Sequence, residues 1–391
     1  MIIKEMETKG SVKQVARSYL SSKEEGDGTL RFTLENINLS VANALRRTML
    51  SDIPTLAFKT FPHEENQADF IVNTSRLNNE ILKQRLSCIT IHGIQQDQPY
   101  EDLEVHIEKE NTSQENIYVT TADFKVKNIK SEKYLDDSVV EKIFPPNSIT
   151  NDHIIFARLR PRISPEIPGE KIYIKAKMSI HTAGEDGAYN VTSNCSYGFT
   201  PDRIKQDSVW QEYSTTLKES DPDELEMKKR DWYCLQAKKI YIPNSFDFKI
   251  QTLGIFSNTN IVQKGCELMI KRTENLKNNI EDPNTFNSMI STYADSTIPN
   301  CFDITLFNES YTLGKVIEYI LHETFYEESK VLTYVGFKKP HPHNNDSLLR
   351  IAFKDDISEV DKNNKITNIL STACNICITI FTTIHGEFNE S

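Results

Sequence analysis

The stretch ENINLSVANALRRTMLSDIPTLA, residues 35–57, decides how the rest of the chain is read. Just ahead of it, Leu30, Phe32 and Leu34 alternate with polar residues, the period of a half-buried strand. Asn38 then offers a capping side chain, and Leu39, Ala42, Leu45 and Met49 advance by three, three and four, which puts them on one helical face. Pro54 ends the helix and favours an extended Ile53, so a second strand is expected from Thr55 to Phe61. Two adjacent arginines complicate this pattern. At about 100° per residue, Arg46 lies within about 60° of both Ala42 and Met49, and Arg47 points about 100° further away. Arg46 can snorkel along the rim of the core while Arg47 is solvated. Alternatively, one arginine supports a helix-packing seam and the other pairs with a carboxylate of a different subunit, a role that suits the planar guanidinium fork.

The totals bound the class. A chain of 391 residues is expected to hold two or three domains. Its 45 basic and 56 acidic residues give a formal charge of −11, which disfavours a protein that grips phosphates by its own surface field. Seven cysteines (88, 195, 234, 266, 301, 374 and 377) are scattered, and MIIKEMETKGSVKQ at the amino terminus lacks the apolar core of a secretory signal. Reduced thiols and an intracellular setting are expected. The apolar run near ICITIF falls short of the roughly 18–20 residues of a membrane span, so a soluble protein is expected.

Working outward from the opening helix, residues 77–92, LNNEILKQRLSCITIH, predict a short helix running into a strand. Residues 93–175 predict a β-rich region, with strand-like NIYVTTADFKV and HIIFARLRP separated by the proline turns PPNSITND and PRISPEIPGE. KIYIKAKMSI resumes the strand period, DPDELEMKKRDWYCLQAKK reads as a charged helix, and Phe246, Phe248 and Ile250 mark another strand. Val262, Cys266, Met269 and Leu276 set a long amphipathic helix that Gly265 weakens. Residues 280–300, with a proline near each end and little periodicity, are the linker candidate. Beyond it the order repeats: strand at Phe302, Ile304 and Leu306, helical stripe at Leu313, Val316, Ile317, Ile320 and Leu321, strand at LLRIAF. A last helix carries Ile366, Ile369, Leu370, Ala373, Cys377, Ile380 and Ile384, although its β-branched tail ICITIFTTI has strand propensity.

Catalytic motifs are sparse. HPHNND (341–346) sets His341 and His343 near Asp346, a fragment of a metal site that its prolines make a turn instead. Cys374 and Cys377 form a lone CxxC whose helical spacing favours core thiols over zinc. No GxxxxGK[ST] loop, GxSxG elbow or DxD-type cluster suited to two metal ions occurs. No catalytic residue, metal ligand or cofactor is therefore assigned.

At this point NINLSVANALRRTMLSDIPTLA resembles the first helix of the alpha-like subunits of cellular RNA polymerases, through Asn38, Ala42, Asn43, Leu45, Arg46, Arg47 and Pro54. Glu80, Arg85 and Leu86 resemble that family's next segment, and VTTADFKV and LRP (159–161) stand where its insertion domain has similar strings. GEDGAYN (184–190) departs from the histidine-alanine pair common there, and residues 93–175 hold none of the cysteines with which some relatives bind zinc or an iron-sulfur cluster. The carboxy-terminal block resembles a second, smaller alpha-like subunit, the eleventh of the eukaryotic enzyme. FDITLFNESYTLGKVIEYIL and VGFKKPHPHNNDSLLRIAF carry its motifs in order, with Tyr311 and Lys315 replacing the usual histidine and asparagine.

The resemblance implies an α+β chain with two alpha-like dimerisation folds, each an antiparallel sheet with amphipathic helices, and a β-rich insertion domain. The expected divisions are 1–92 and 176–279 for the first fold, 93–175 for the insertion, 280–300 for the linker and 301–391 for the second fold. It implies a noncatalytic assembly-platform subunit of DNA-directed RNA polymerase. The implied partners are the largest and second-largest subunits and small assembly subunits, with DNA touched only indirectly and no membrane. Fusion of the two subunit types is a habit of large cytoplasmic DNA viruses, which implies the virion and the host cytoplasm. Asn43, Arg46, Arg47, Glu80 and Arg85 are the expected partner-binding residues. Leu39, Ala42, Leu45, Met49, Val262, Met269, Leu313, Ile317, Ile320, Ile369 and Ala373 form the expected internal pairing interface. A free-standing, dimer-like DNA-binding regulator is the alternative, and a hydrolase using His341, His343 and Asp346 a third.

Overall fold

The computed structural model describes residues 18–93, 99–164, 166–217, 222–292 and 298–389. Nine α-helices occur among them: α1 Leu39–Ser51, α2 Asn79–Ser87, α3 Asp137–Ile143, α4 Arg203–Thr216, α5 Pro222–Cys234, α6 Asn258–Glu281, α7 Pro283–Met289, α8 Tyr311–Leu321 and α9 Glu359–Glu387. With the strands described below, they make an α+β chain. The chain divides into two units, one of residues 1–49, 194–251 and 258–391, the other of residues 50–193 and 252–257.

The first unit holds two four-stranded sheets. One has the order Leu20–Gly26, Thr29–Glu35, Tyr241–Thr252, Thr192–Pro201. Leu30, Phe32 and Leu34 stand directly opposite Ile250, Phe248 and Phe246 across an antiparallel pair, and all six are buried. The alternation that predicted this strand thus fills one sheet face. The other sheet has the order Ile290–Thr292, Cys301–Leu306, Ser347–Phe353, Leu332–Lys338, antiparallel throughout. Asp303 and Arg350 face each other across it and pair through two hydrogen bonds of 2.6 and 2.7 Å. Against this sheet, α8 brings Gly314 under the ring of Phe337, where a β-carbon would lie 2.0 Å from a ring atom. The glycine of the Thr-Leu-Gly motif at 312–314, within FDITLFNESYTLGKVIEYIL, is therefore a packing requirement.

The second unit is built on a sheet of order Ala68–Asn73, Lys171–Lys177, Leu103–Glu110, Phe124–Asn128, with two short ribbons, Thr55–Ala57 with Ser179–His181 and Ile117–Thr120 with Ile155–Leu159. Its core runs from Leu56 and Phe58 through Leu82 and Leu86 to Ala176 and Met178. The expected divisions at 92 and 175 therefore fall inside one folded unit, because Ala68–Asn73 pairs along Lys171–Lys177. The strand expected after α2 is absent: residues 88–92 are irregular, and Ile89 and Ile91 reach the core without pairing. The strand expected at Thr55 to Phe61 stops at Ala57.

Two further expectations change in the first unit. Residues 283–292 of the expected linker form α7 and an edge strand, while 293–297 lie outside the described residues. Asp282 caps α7 and Pro283 takes its first turn, where a missing amide proton costs nothing. Leu39, expected on the pairing stripe, is 45 % exposed. The buried arc of α1 is carried by Val41, Ala42, Ala44, Leu45, Thr48 and Met49, and Leu39 lies about 120° from its middle at Leu45.

The tail of α9 stays helical despite its β-branched residues. Residues 361–387 are apolar and long enough to cross a membrane by length and composition alone, but Leu370, Ala373, Cys374, Cys377, Phe381 and Ile384 are buried within the protein. Tertiary burial here outweighs local propensity.

Gly265 sits where α6 meets α1: a β-carbon there would lie 2.8 Å from Met49 Cγ and 3.3 Å from Leu45 Cδ1. Glycine costs a helix interior about 1 kcal/mol relative to alanine, and the close approach offsets that cost. Gly265→Val is expected to lower unfolding free energy by about 1–3 kcal/mol through overpacking, read by urea denaturation; an unchanged midpoint would contradict this contact.

Candidate functional site

Among the described residues of the first unit, α6 and α9 make the most extensive helix-to-helix contact. Thr273 Oγ1 lies 3.4 Å from Cys377 Sγ, His385 Nε2 3.2 Å from Glu267 Oε1, and Ser371 Oγ 3.4 Å from Glu281 Oε1. Numbers rise along one helix as they fall along the other, so the helices run antiparallel. Val262, Cys266, Met269, Thr273 and Leu276 supply one wall, and Ile366, Ile369, Leu370, Ala373 and Cys377 belong to the buried face of α9. Burial pushes the Cys374 and Cys377 thiols up to about 12, which keeps them protonated and inert at neutral pH.

Polar contacts fix the ends of this seam. Arg272 on α6 pairs with Glu309, in the turn before α8, through Nη2 at 2.6 Å and Nε at 3.4 Å. Beyond α9, Phe388 is fully buried and meets Phe32 edge-on with centroids 4.9 Å apart, while Phe32 stacks on Phe248. Glu387 accepts from the backbone amides of Tyr19 and Leu20, and Gln263 donates to the Phe388 carbonyl at 3.2 Å. The end of the last helix is thus fastened to the first sheet. Sequence reading missed Arg272, Glu309 and Phe388. Glu309 lies within the quoted FDITLFNESYTLGKVIEYIL, but nothing local marks Phe388.

The other expected pairing residues, Ala42, Leu45, Met49, Leu313, Ile317 and Ile320, are all buried. Among the expected partner-binding residues, Arg46 turns inward along the chain: Nε and Nη2 donate to Asn43 Oδ1 at 3.2 and 3.0 Å. Its carbonyl accepts from Cys195 Sγ at 3.6 Å, and burial pushes that thiol up to about 12 although the Arg46 charge pulls it down. Arg47 is exposed, on the side of α1 away from the buried arc.

The second unit puts Glu80 and Arg85 on α2. Glu80 is exposed and pairs with Lys83 at 3.2 Å. Arg85 is spent inside the chain, with Nε donating to the Phe156 carbonyl and Nη2 to the Ile155 carbonyl, both at 2.6 Å. The guanidinium covers open carbonyls on the edge of the strand Ile155–Leu159, which would otherwise offer a pairing template.

The histidine turn hydrogen-bonds within itself and to the strand end before α8. His341 Nδ1 accepts from the His343 amide at 3.2 Å, and Asp346 accepts from the Asn308 amide at 2.9 Å. No group of three or more His, Cys, Asp or Glu side chains among the described residues is placed to hold a metal ion. A different constellation escaped sequence reading. His181 lies 2.7 Å from both Ser179 Oγ and Glu185 Oε2, the order of a hydrolase triad. Ser179 Oγ is also 2.7 Å from Gln67 Oε1, and Glu185 accepts from the Thr182 amide, so the group ties the 182–190 loop to its strand. Burial opposes ionisation of Glu185, but the hydrogen bond and charge of His181 outweigh it and hold the carboxyl below its ordinary value of 4.5.

Residues 31–273 match the family described as the RNA polymerase Rpb3/Rpb11 dimerisation domain. The chain belongs to that family. Subunit 3B of DNA-directed RNA polymerases IV and V from Arabidopsis thaliana is 41 % identical over 69 residues, which are 18 % of this chain and 19 % of that one. Subunit Rpo3 of the Pyrococcus furiosus polymerase is 35 % identical over 68 residues, 17 % of this chain and 23 % of that one. Subunit RPAC1 of polymerases I and III from Saccharomyces cerevisiae is 21 % identical over 299 residues, 63 % of this chain and 83 % of that one. The chain thus spans about a fifth of the first two relatives and most of the third. These alpha-like subunits are its homologues, and the matched segment contains α1 and most of α6.

Two consequences are measurable. Arg85→Ala is expected to cost about 1 kcal/mol, reduced by the exposure of the guanidinium, and to speed amide exchange along Ile155–Leu159; unchanged exchange would return Arg85 to the candidates for partner binding. The stabilisation from Glu185, whose folded-state carboxyl is depressed, is complete above its ordinary value of 4.5 and lost as pH falls through the lower folded value. Glu185→Gln should therefore narrow the gap in stability between pH 7 and acid, as followed by thermal melts across pH; an identical pH profile would exclude the pair as a contributor.

Proposed function

We propose that this chain is a noncatalytic assembly subunit of a DNA-directed RNA polymerase, in which two alpha-like modules joined in one polypeptide pair internally and seat the largest and second-largest catalytic subunits. The α6–α9 seam carries this reading: α6 belongs largely to the family-matched segment, and α9 belongs to the block whose Thr-Leu-Gly motif resembles the smaller alpha-like subunit. Each block has its own four-stranded antiparallel sheet, the pattern expected of two related folds. Joining them makes a bimolecular pairing internal, with an effective concentration on the order of millimolar for a short connection.

Small assembly subunits complete the proposed partners, and DNA is reached only through the complex, in keeping with a formal charge of −11. The apolar face of α9 serves the seam and not lipid. The fused order supports an origin in a large cytoplasmic DNA virus, with the protein in the virion and the host cytoplasm.

Affinity purification of the chain from its native source should bring down both large polymerase subunits; recovery of the chain without them would overturn the proposal. Arg47 is the candidate contact to the second-largest subunit. Arg47→Glu should abolish that association, whereas Arg46→Ala should lower the melting temperature before any subunit is lost. Intact assembly with Arg47→Glu would remove Arg47 from the docking surface.

A further inference from the structure

The four-stranded sheet of the second unit has one face on the core. Val105, Ile107, Val126, Ile172 and Ile174 fill that side, so the residues alternating with them point the other way. The register shows which of these stand side by side. Lys125, His106 and Lys175 form one row across Phe124–Asn128, Leu103–Glu110 and Lys171–Lys177, and Lys127, Glu104 and Lys177 form the next. Neighbouring strands lie about 4.8 Å apart, so two pairs of lysines flank the middle strand at about 10 Å from one another.

The side chains agree with the register. Lys175 Nζ lies 5.8 Å from the centre of the Tyr173 ring, and the His106 ring meets Tyr173 at 6.4 Å and Tyr134 at 5.6 Å. Tyr134, from the turn after Phe124–Asn128, is 53 % exposed, and Tyr173 is half-buried. His106 is fixed in place, with Nε2 2.6 Å from Glu104 Oε2 and Nδ1 3.0 Å from the Tyr134 hydroxyl. The nearby carboxylates have their own cations: Glu104 is held by His106, and Glu108 and Glu110 lie 3.3 and 3.5 Å from Lys171. Lys125, Lys127, Lys175 and Lys177 form no ion pair among the described residues, and neither does Asp69, which stands opposite Lys175.

We infer that this sheet face binds a short single strand of RNA. Lysines meet phosphates as point charges, and the tyrosine rings offer stacking surfaces that any base can use. A four-stranded sheet that carries rings on its central strands is a known form of single-strand platform, and here Tyr173 and His106 stand on the two central strands. An acidic protein segment would meet the lysines but leave the rings unused, and a duplex keeps its bases stacked inward. Four lysines serve only a few phosphates, which a chain of formal charge −11 can still hold locally. The identity of the strand rests on the polymerase reading, since RNA is what such an enzyme releases.

The test follows the anisotropy of fluorescein-labelled oligo-U with the full chain, using oligo-dT and a poly-Glu peptide of equal charge as competing probes. The expected result is binding of oligo-U at least as tight as that of oligo-dT. Its affinity should fall with salt at a log–log slope of about −3, as four phosphate contacts on a single strand give. Lys175→Glu/Lys177→Glu should weaken binding at least about tenfold and flatten that slope, whereas Tyr134→Leu should weaken it at least about fivefold and keep the slope. Lys125→Glu/Lys127→Glu and Tyr173→Leu replace these variants should either unfold, as judged by melting temperature. No binding of oligo-U, equal or tighter binding of poly-Glu, a preference for oligo-dT, or unchanged affinity in the folded variants would each overturn the inference. Failure of the assembly role is read separately, by whether the large subunits are recovered with the chain.

Discussion

The first unit depends on the burial of one helical face against another. Each large apolar side chain buried between α6 and α9 contributes about 1.5–3 kcal/mol. The seam brings residues near 270 beside residues near 377, and Phe388 carries the connection to Phe32 in the first sheet. The Arg272–Glu309 pair ties α6 to the turn before α8 as well. Such a seam is also what lets one chain do the work proposed for two: the helices that would recognise a separate partner are already occupied from within.

Glycine is used at the closest approaches. At Gly265 it admits Met49 and Leu45, and at Gly314 it admits the Phe337 ring. Both lie within helices, where propensity disfavours glycine, and in both the missing β-carbon sets how near a neighbouring element can come. Arg85 shows a related economy on the second unit. Its guanidinium covers two carbonyls on an edge strand, so a residue that resembled part of a docking motif acts first as a guard of local structure.

Electrostatics sort the remaining surface. Asp303 with Arg350 and Arg272 with Glu309 are satisfied inside the fold, and His181 with Glu185 closes a loop.

The sequence by itself determined the local elements wherever a period was sustained. The strand of Leu30, Phe32 and Leu34, the opening helix with its cap and its proline stop, the long helix through Val262 and Met269, and the last helix were all legible, because alternation and helical spacing express burial directly. The family was legible by resemblance, through particular motif residues such as Asn43, Arg46 and Arg47 that no period predicts. Tertiary structure alone decided the rest. It excluded Leu39 from the buried arc, turned residues 283–292 from linker into helix and strand, placed Lys171–Lys177 in the second unit, and committed Arg85 to backbone carbonyls. Each of those outcomes depends on which distant surface a residue meets, and a one-dimensional period carries the facing of a side chain but not the identity of what it faces.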